Sequence, residues 1–266
     1  QRRKMKTVII IPARFESVRF PGKPLVELDC GMGVKKSLIH LTWDAAKKVR
    51  DVDEIFVATD DRRISDAVNE FGGKTIMTSK CCKNGTERCA EAVKQISVSP
   101  DIVINFQGDA PLTPPWFVEN LIENIATDPT ADMATPVLRL DKETYQNFRT
   151  DRKKGLVGGT TVTFDSKGYA LYFSKEMIPY FELEKLNRSS LIPMFHHVGV
   201  YAYRPKVLQE YMAWPEGLLE SLEGLEQIRF LENNRIVKCV EVDSKGRLFW
   251  ELNNPQDIER IEKVLQ

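Results

Sequence analysis

Arg14, Arg19 and Lys23 crowd into one short stretch, Pro12-Ala13-Arg14-Phe15-Glu16-Ser17-Val18-Arg19-Phe20-Pro21-Gly22-Lys23-Pro24, together with the hydroxyl of Ser17. Cations and a hydroxyl on a Gly- and Pro-bearing turn can hold a polyphosphate, with backbone N–H groups adding to the charge. Neither GxxxxGK[ST] nor GxGxxG is present, so the turn is not a Walker loop or a dinucleotide loop. The same residues also describe a plain solvated basic turn.

A second group is Gln107-Gly108-Asp109-Ala110-Pro111. A carboxylate at a strand end, beside a glycine that admits a ligand to the backbone, suits Mg²⁺, which takes one or two protein carboxylates and fills its remaining positions from phosphate and water. Asp is equally a common turn residue. In Asn84-Gly85-Thr86-Glu87-Arg88, a tight turn opens a helix whose N–H groups could read a base edge or a phosphate, or only cap the helix. His196-His197 is a poor metal pair, because neighbours on a strand point to opposite faces, but one ring could reach a sugar hydroxyl or a carboxylate. Glu226-Gln227 falls within a helical pattern from Leu218 to Asn233, where Glu220, Glu223 and Glu226 recur every three residues as an acidic stripe of the kind usually solvated. Cys81-Cys82 has no partnering His nearby in sequence, which weighs against a thiol nucleophile.

These groups need elements to hold them. Thr7-Val8-Ile9-Ile10-Ile11-Pro12 is a β-branched run without alternation, as in a parallel strand buried on both faces. The basic turn follows it directly, at the carboxyl end, where open α/β sheets bind ligands. A helix over about Ser37 to Val49, a strand at Glu54 to Ala58, a cap at Asp60-Asp61, a helix at Ile64 to Phe71 and a strand at Lys74 to Met77 come next. A helix at Thr86 to Ile96, a strand at Asp101 to Phe106 and a helix at Pro114 to Ile125 complete this half. Beyond about residue 126 the texture changes: Thr160 to Phe164 and Ala170 to Phe173 alternate like hairpin strands, 181–195 is polar and irregular, and Val198 to Tyr203 is a late strand. Helices return at Pro205 to Ala213, Leu218 to Asn233 and Pro255 to Val264. The expected fold is α/β: a Rossmann-like layer fold interrupted by a mixed α+β insertion.

Composition narrows the partners. Lys plus Arg and Asp plus Glu each number 38, so no field of one sign draws in nucleic acid or anionic lipid, and an anionic ligand must be held by local groups. A hydrophobic share of 42% excludes disorder. The 266 residues are ample for a core without disulfides or metals, and five cysteines, odd in number and without CxxC spacing, fit a reducing cytoplasm. The longest apolar run is too short to span a bilayer, and no signal-peptide core precedes it.

Taken together, the segments resemble the 3-deoxy-manno-octulosonate (Kdo) cytidylyltransferases, or CMP-Kdo synthetases. The likeness runs from about Val8 to Leu265 and rests on IPARFESVRFPGKPL (11–25), VATDDRRI (57–64), FGGKTIMTS (71–79), NGTER (84–88), VINFQGDAPL (103–112), ALYFSKEMIPY (170–180), HVGVYAYR (197–204), LEQIRFLENN (225–234) and NNPQDIERIE (253–262). The resemblance implies a nucleotide-diphospho-sugar transferase fold and a single domain over 1–266, with 126–204 supplying the sugar pocket and the contacts of a cytoplasmic homodimer. It implies transfer of CMP from CTP to an anionic sugar acid with release of pyrophosphate, and Mg²⁺ as cofactor. By the same resemblance Arg14, Ser17 and Lys23 hold nucleotide phosphates, Thr86 and Arg88 lie in the cytidine segment, and Gln107, His197, Tyr201, Glu226 and Gln227 line the sugar pocket. Arg14, Lys23 and Asp109 are then the catalytic group, with Asp109 a magnesium carboxylate.

The departures cluster near metal and acid. The family's V-D-T-P-E-D tail reads Leu252-Asn253-Asn254-Pro255-Gln256-Asp257, so the second metal position is the neutral Asn253, and binding should be weaker or should lean on Glu251, Asp257 or substrate oxygens. QGDEP reads QGDAP, Thr161 stands for a Lys, Lys175 for an Arg, and Asp29 to Ser37 replaces a GKPMI segment. An 8-amino relative of Kdo, another acidic sugar or a phosphonate therefore remains an alternative acceptor, and a non-catalytic nucleotide-binding paralogue an alternative class.

Overall fold

The computed structural model describes residues 4–157, 159–186, 191–247 and 249–266. In chain order these form β1 (Thr7–Ala13), β2 (Glu27–Asp29), β3 (Lys35–Ser37), α1 (Leu38–Lys47), β4 (Glu54–Thr59), α2 (Arg62–Glu70), β5 (Thr75–Met77), α3 (Gly85–Val93), β6 (Ile102–Phe106) and α4 (Pro115–Thr127). The second half holds β7 (Met133–Asp141), α5 (Lys142–Lys153), β8 (Thr161–Phe164), β9 (Ala170–Ser174), β10 (Leu191–His197), β11 (Val200–Tyr203), α6 (Pro205–Ala213), α7 (Leu218–Glu223), α8 (Ile228–Glu232), β12 (Val237–Glu241) and α9 (Asp257–Leu265).

Strand β1 is buried on both faces. Ile9 and Ile11 point into a cluster with Trp43 of α1 and Phe117, Val118 and Leu121 of α4, whereas Val8 and Ile10 point into one with Cys89 and Ala90 of α3 and Leu208 and Tyr211 of α6. With helices covering both faces, the apolar residues of β1 need no alternation. The sheet runs β5-β4-β1-β6-β11-β7-β10-β8-β9, and β12 pairs in parallel with β7. From β5 to β6 the neighbours are parallel, so the segments that leave the ends of β1, β5 and β6 emerge on one edge. Strand β11 runs antiparallel to β6, with Val200 opposite Phe106, and brings its own start to that same edge.

Local signals account for the helix starts. Ser37 Oγ accepts from His40 N, Asp61 Oδ1 from Arg63 N, and Asn84 Oδ1 from Glu87 N. Two expectations fail in the second half. The 181–195 stretch is not wholly irregular: its end is the strand β10, paired with β7 and β8, with Ile192 and Met194 packed in a core with Tyr145 and Phe148 of α5. Residues 187–190 lie outside the described residues. The expected helix from Leu218 to Asn233 is two short helices, because Gly224 adopts a left-handed conformation (φ +63°) and ends α7. The strands of 126–204 do not stand apart; they continue the one sheet.

Candidate active site

The loop after β1, the end of β6 and the turn opening α3 meet around one cleft of about 440 Å³, large enough for a nucleotide-sized ligand. Gly108 makes the meeting possible: a Cβ there would sit 2.7 Å from Pro12 O, so only glycine lets the ends of β1 and β6 approach this closely. Thr42 Oγ1 donates to Gly108 O (2.8 Å) and Leu252 N to Asp109 O (2.9 Å), which pins the backbone of Gly108 and Asp109 from two sides.

Arg14 and Arg19 are exposed on the cleft and have no anionic partner among the described residues. Lys23 reaches across instead, with Nζ 2.8 Å from Asp109 Oδ2. Ser17 also lines the cleft, its Oγ accepting from Phe20 N (3.4 Å). Opposite, Arg88 is buried and donates to Thr78 Oγ1 (2.7 Å) and Ser79 O (3.2 Å), so it holds the segment after β5 while presenting part of its surface to the cleft. Gln107, Asp109, Glu226 and Asn253 complete the wall.

Four expected site residues do not line the cleft. Thr86, His197, Tyr201 and Gln227 are buried in the layer behind it. Thr86 N and Oγ1 both donate to Glu226 Oε2, at 3.0 and 2.9 Å. His197 Nε2 meets Thr135 Oγ1 at 2.7 Å, its Nδ1 meets Gln227 Nε2 at 3.5 Å, and Tyr201 OH donates to Gln227 Oε1 (3.4 Å). Burial pushes the His197 imidazole down to about 3, with neighbouring His196 adding to the shift, so the ring is neutral at neutral pH.

The supposed acidic stripe is dismantled. Glu220 forms a buried two-pronged pair with Arg229 (2.7 and 2.7 Å), Glu223 accepts from Ser174 Oγ and Lys175 N on the β9 side, and Glu226 turns to the cleft. Arg229 also meets Glu87 at 3.4 Å, which ties α8 to α3. The sequence reading missed this pair, and an Arg in a helical pattern carries no signal for it. Lys175, noted only as a departure, places Nζ 2.9 Å from where a Cβ on Gly224 would sit, and Gly224 lines the cleft. The Cys82 thiol is pushed up to about 12 by burial and by the Glu91 carboxylate it donates to, which leaves it inert as a nucleophile.

The oxygens present suit Mg²⁺. Asp109 offers a carboxylate and Asn253 an amide oxygen on the same wall, a hard and incomplete donor set that a nucleotide's phosphates could complete. Glu251 is half-buried beside them; burial raises its carboxyl above the ordinary range, the facing Asp109 charge adds to this, and a hydrogen bond with Asn253 opposes it. Asp257 is committed elsewhere: Oδ2 accepts from Asn253 N (3.0 Å) and Asn254 N (2.8 Å), and Oδ1 from Trp250 Nε1 (2.9 Å).

Residues 8–241 match the family pattern described as cytidylyltransferase. A 3-deoxy-manno-octulosonate cytidylyltransferase of Maricaulis maris (strain MCS10) is 41% identical over 261 residues, covering 98% of this chain and 97% of that protein. The chain belongs to the 3-deoxy-manno-octulosonate cytidylyltransferase family. The mitochondrial 3-deoxy-manno-octulosonate cytidylyltransferase of Arabidopsis thaliana is 36% identical, over 99% of this chain and 84% of its own. Among solved structures, CMP:2-keto-3-deoxy-manno-octonic acid synthetase complexed with CTP superposes with a TM-score of 0.82 at 34% identity, covering 98% of each chain. The 4-diphosphocytidyl-2C-methyl-D-erythritol synthase of Anaerococcus prevotii, at 14% identity and a TM-score of 0.58, shares the fold. As a family member the chain is a nucleotidyltransferase, and its sheet has the nucleotide-diphospho-sugar transferase architecture.

Proposed function

We propose that the cleft binds CTP and Kdo and transfers CMP to the sugar acid, releasing pyrophosphate. The observation that carries this reading is the convergence of Arg14, Arg19, Lys23 and Asp109 at one sheet edge, facing the Asn84–Arg88 turn. The acceptor's own hydroxyl attacks the α-phosphate, so no covalent enzyme intermediate is needed and the inert Cys82 is no obstacle. Arg14, Arg19 and Lys23 oppose the charge that grows on the departing pyrophosphate. Asp109 and the Asn253 side-chain oxygen would hold Mg²⁺, which when bound neutralises phosphate oxygens and helps orient the α-phosphate. Lys175 at the cleft rim and Glu226 on its wall serve the acid's carboxylate and hydroxyls, and His197 with Tyr201 fixes Gln227 behind them.

The assembly we propose is a homodimer. Leu218 and Leu222 of α7 are 71% and 74% exposed and Leu171 of β9 is 63% exposed, apolar surface that a second copy of the chain would cover. A reducing compartment such as the cytoplasm suits Cys89 and Cys239, which are buried free thiols. Among the described residues no helix is long and apolar enough to cross a membrane.

The test is pyrophosphate release from CTP with Mg²⁺ and a panel of Kdo, 8-amino-Kdo, other acidic sugars and phosphonates. Kdo with CTP should turn over fastest, because a buried hydrogen-bonding site rejects a base that leaves its groups unpaired. Equal rates with UTP or ATP, or turnover of a phosphonate but not Kdo, would sink the reading.

A further inference from the structure

Glu226 is half-buried at the bend between α7 and α8, and its two carboxylate oxygens have different surroundings. Oε2 accepts both Thr86 N and Thr86 Oγ1 from the first turn of α3. Oε1 has no hydrogen-bond donor among the described residues, and the side chain lines the cleft. The Thr86 hydroxyl, its one hydrogen directed at Glu226, accepts from Tyr203 OH (3.2 Å). Tyr203 OH in turn accepts from Asn105 Nδ2 (3.1 Å), and Asn105 Oδ1 from Gln107 Nε2 (3.3 Å). Every donor in this chain points towards the one carboxylate, so each bond polarises the next. A second link runs parallel to it: Asn84 Nδ2 donates to Tyr211 OH, and Tyr211 OH to the Glu226 carbonyl, each at 3.0 Å. The turn assigned to the nucleotide is thus fastened at Asn84 and at Thr86 to the residue assigned to the acid.

We propose that Glu226 is a two-sided positioning residue: Oε2 sets the Asn84–Arg88 turn for the nucleotide, Oε1 receives a hydroxyl of the acceptor, and the two substrates bind cooperatively through it. This rests on the proposed function, since it takes both substrates from that reading. The physical ground is that one carboxylate cannot move to meet an acceptor hydroxyl without moving Thr86 or releasing it. When the acceptor fixes the carboxylate, the turn is fixed too, and the ordering cost of the second substrate is already met. Burial raises the Glu226 carboxyl, and the two Thr86 bonds oppose that shift by favouring its charged form.

The experiment measures the Kd of a non-transferable CTP analogue, with methylene between the α and β phosphorus atoms, in Mg²⁺ with and without saturating Kdo. In the wild type, Kdo should tighten analogue binding by about fivefold or more. Glu226→Ala should weaken analogue binding about tenfold even with no acid present, and should abolish the effect of Kdo. Glu226→Gln keeps an acceptor for Thr86 and should restore most of the acid-free affinity. Thr86→Val leaves the acid-facing oxygen in place yet removes one link, and should reduce the effect of Kdo; if Glu226→Ala does not fold, this variant and Glu226→Gln decide the matter. Unchanged analogue affinity in folded Glu226→Ala, or an undiminished Kdo effect in Thr86→Val, overturns the proposal and leaves Glu226 a sugar contact only. Wild-type turnover of Kdo without any mutual effect overturns the coupling alone, whereas absence of both binding and turnover takes the proposed function down with it.

Discussion

Lys23 Nζ and Asp109 Oδ2 lie 2.8 Å apart, an ion pair between the loop after β1 and the end of β6 with side chains 19% and 25% exposed. It joins the proposed phosphate cation to the proposed metal carboxylate, so Lys23 would compete with a metal ion for Asp109. Lys23→Ala should therefore cost about 10²-fold in maximal rate while lowering the Mg²⁺ concentration needed for half-saturation. Arg14→Ala should cost a similar factor with the metal requirement unchanged, because Arg14 touches no carboxylate of the site. Near-wild-type rates in both variants would reduce the loop to a solvated basic turn.

At position 253 a neutral amide lines the cleft with Asp109, where the tail implied by the family resemblance would place a carboxylate. A metal held by Asp109 and a neutral oxygen feels one negative charge fewer, so restoring it in Asn253→Asp should lower the Mg²⁺ half-saturation, and Asp109→Ala should abolish turnover at any practical metal concentration. Titrating Mg²⁺ against pyrophosphate release for the three proteins checks this. An unaltered metal dependence in both variants would put the site elsewhere.

Arg229 and Glu220 are buried together, with side chains 4% and 6% exposed. Removing one partner strands the other charge away from water, and Arg229→Met should cost about 3 kcal/mol or more of folding stability, read from urea unfolding. The double change Arg229→Met with Glu220→Leu should recover much of that loss. A single change within about 0.5 kcal/mol of wild type would show the pair to be solvated.

Burial lowers the imidazoles of both neighbouring histidines, to about 3 for His197 and about 4 for His196. In the unfolded chain each returns to about 6.5, so as pH falls below that value the unfolded state takes up protons that the folded state does not. Stability should be flat with respect to these groups above about pH 6.5 and should fall below it, by up to about 1.4 kcal/mol per pH unit for each ring. The two rings contribute alike down to about pH 4, and below that His197, with the lower value, goes on contributing. Urea midpoints at pH 7 and pH 5 should differ less in His197→Gln than in the wild type; an equal difference would mean that the ring is already protonated in the folded protein. The same variant loosens Gln227 and should raise KM for Kdo more than for CTP.

Local chemistry in the chain alone determined β1, the turn that follows it, and the caps at Asp61 and Asn84, because β-branched runs, Pro-Gly turns and capping oxygens act within a few residues of themselves. The ordered motifs around Arg14, Asn84, Asp109 and Glu226 determined the family for the same reason: each is a short string whose members are already adjacent. The tertiary structure decided what those strings face. Glu226 reaches Thr86 across 140 residues, and nothing in a three-residue acidic spacing distinguishes that bond from a solvated stripe. Gly224 reads as a tolerated residue inside a helix until its left-handed backbone splits 218–233 and turns Glu226 inward. The place of β10 in the sheet and the burial of His197, Tyr201 and Gln227 behind the cleft likewise depend on which distant segments pack together. Periodicity reports which face of an element is apolar; the partner on that face is chosen only when the whole sheet closes around it.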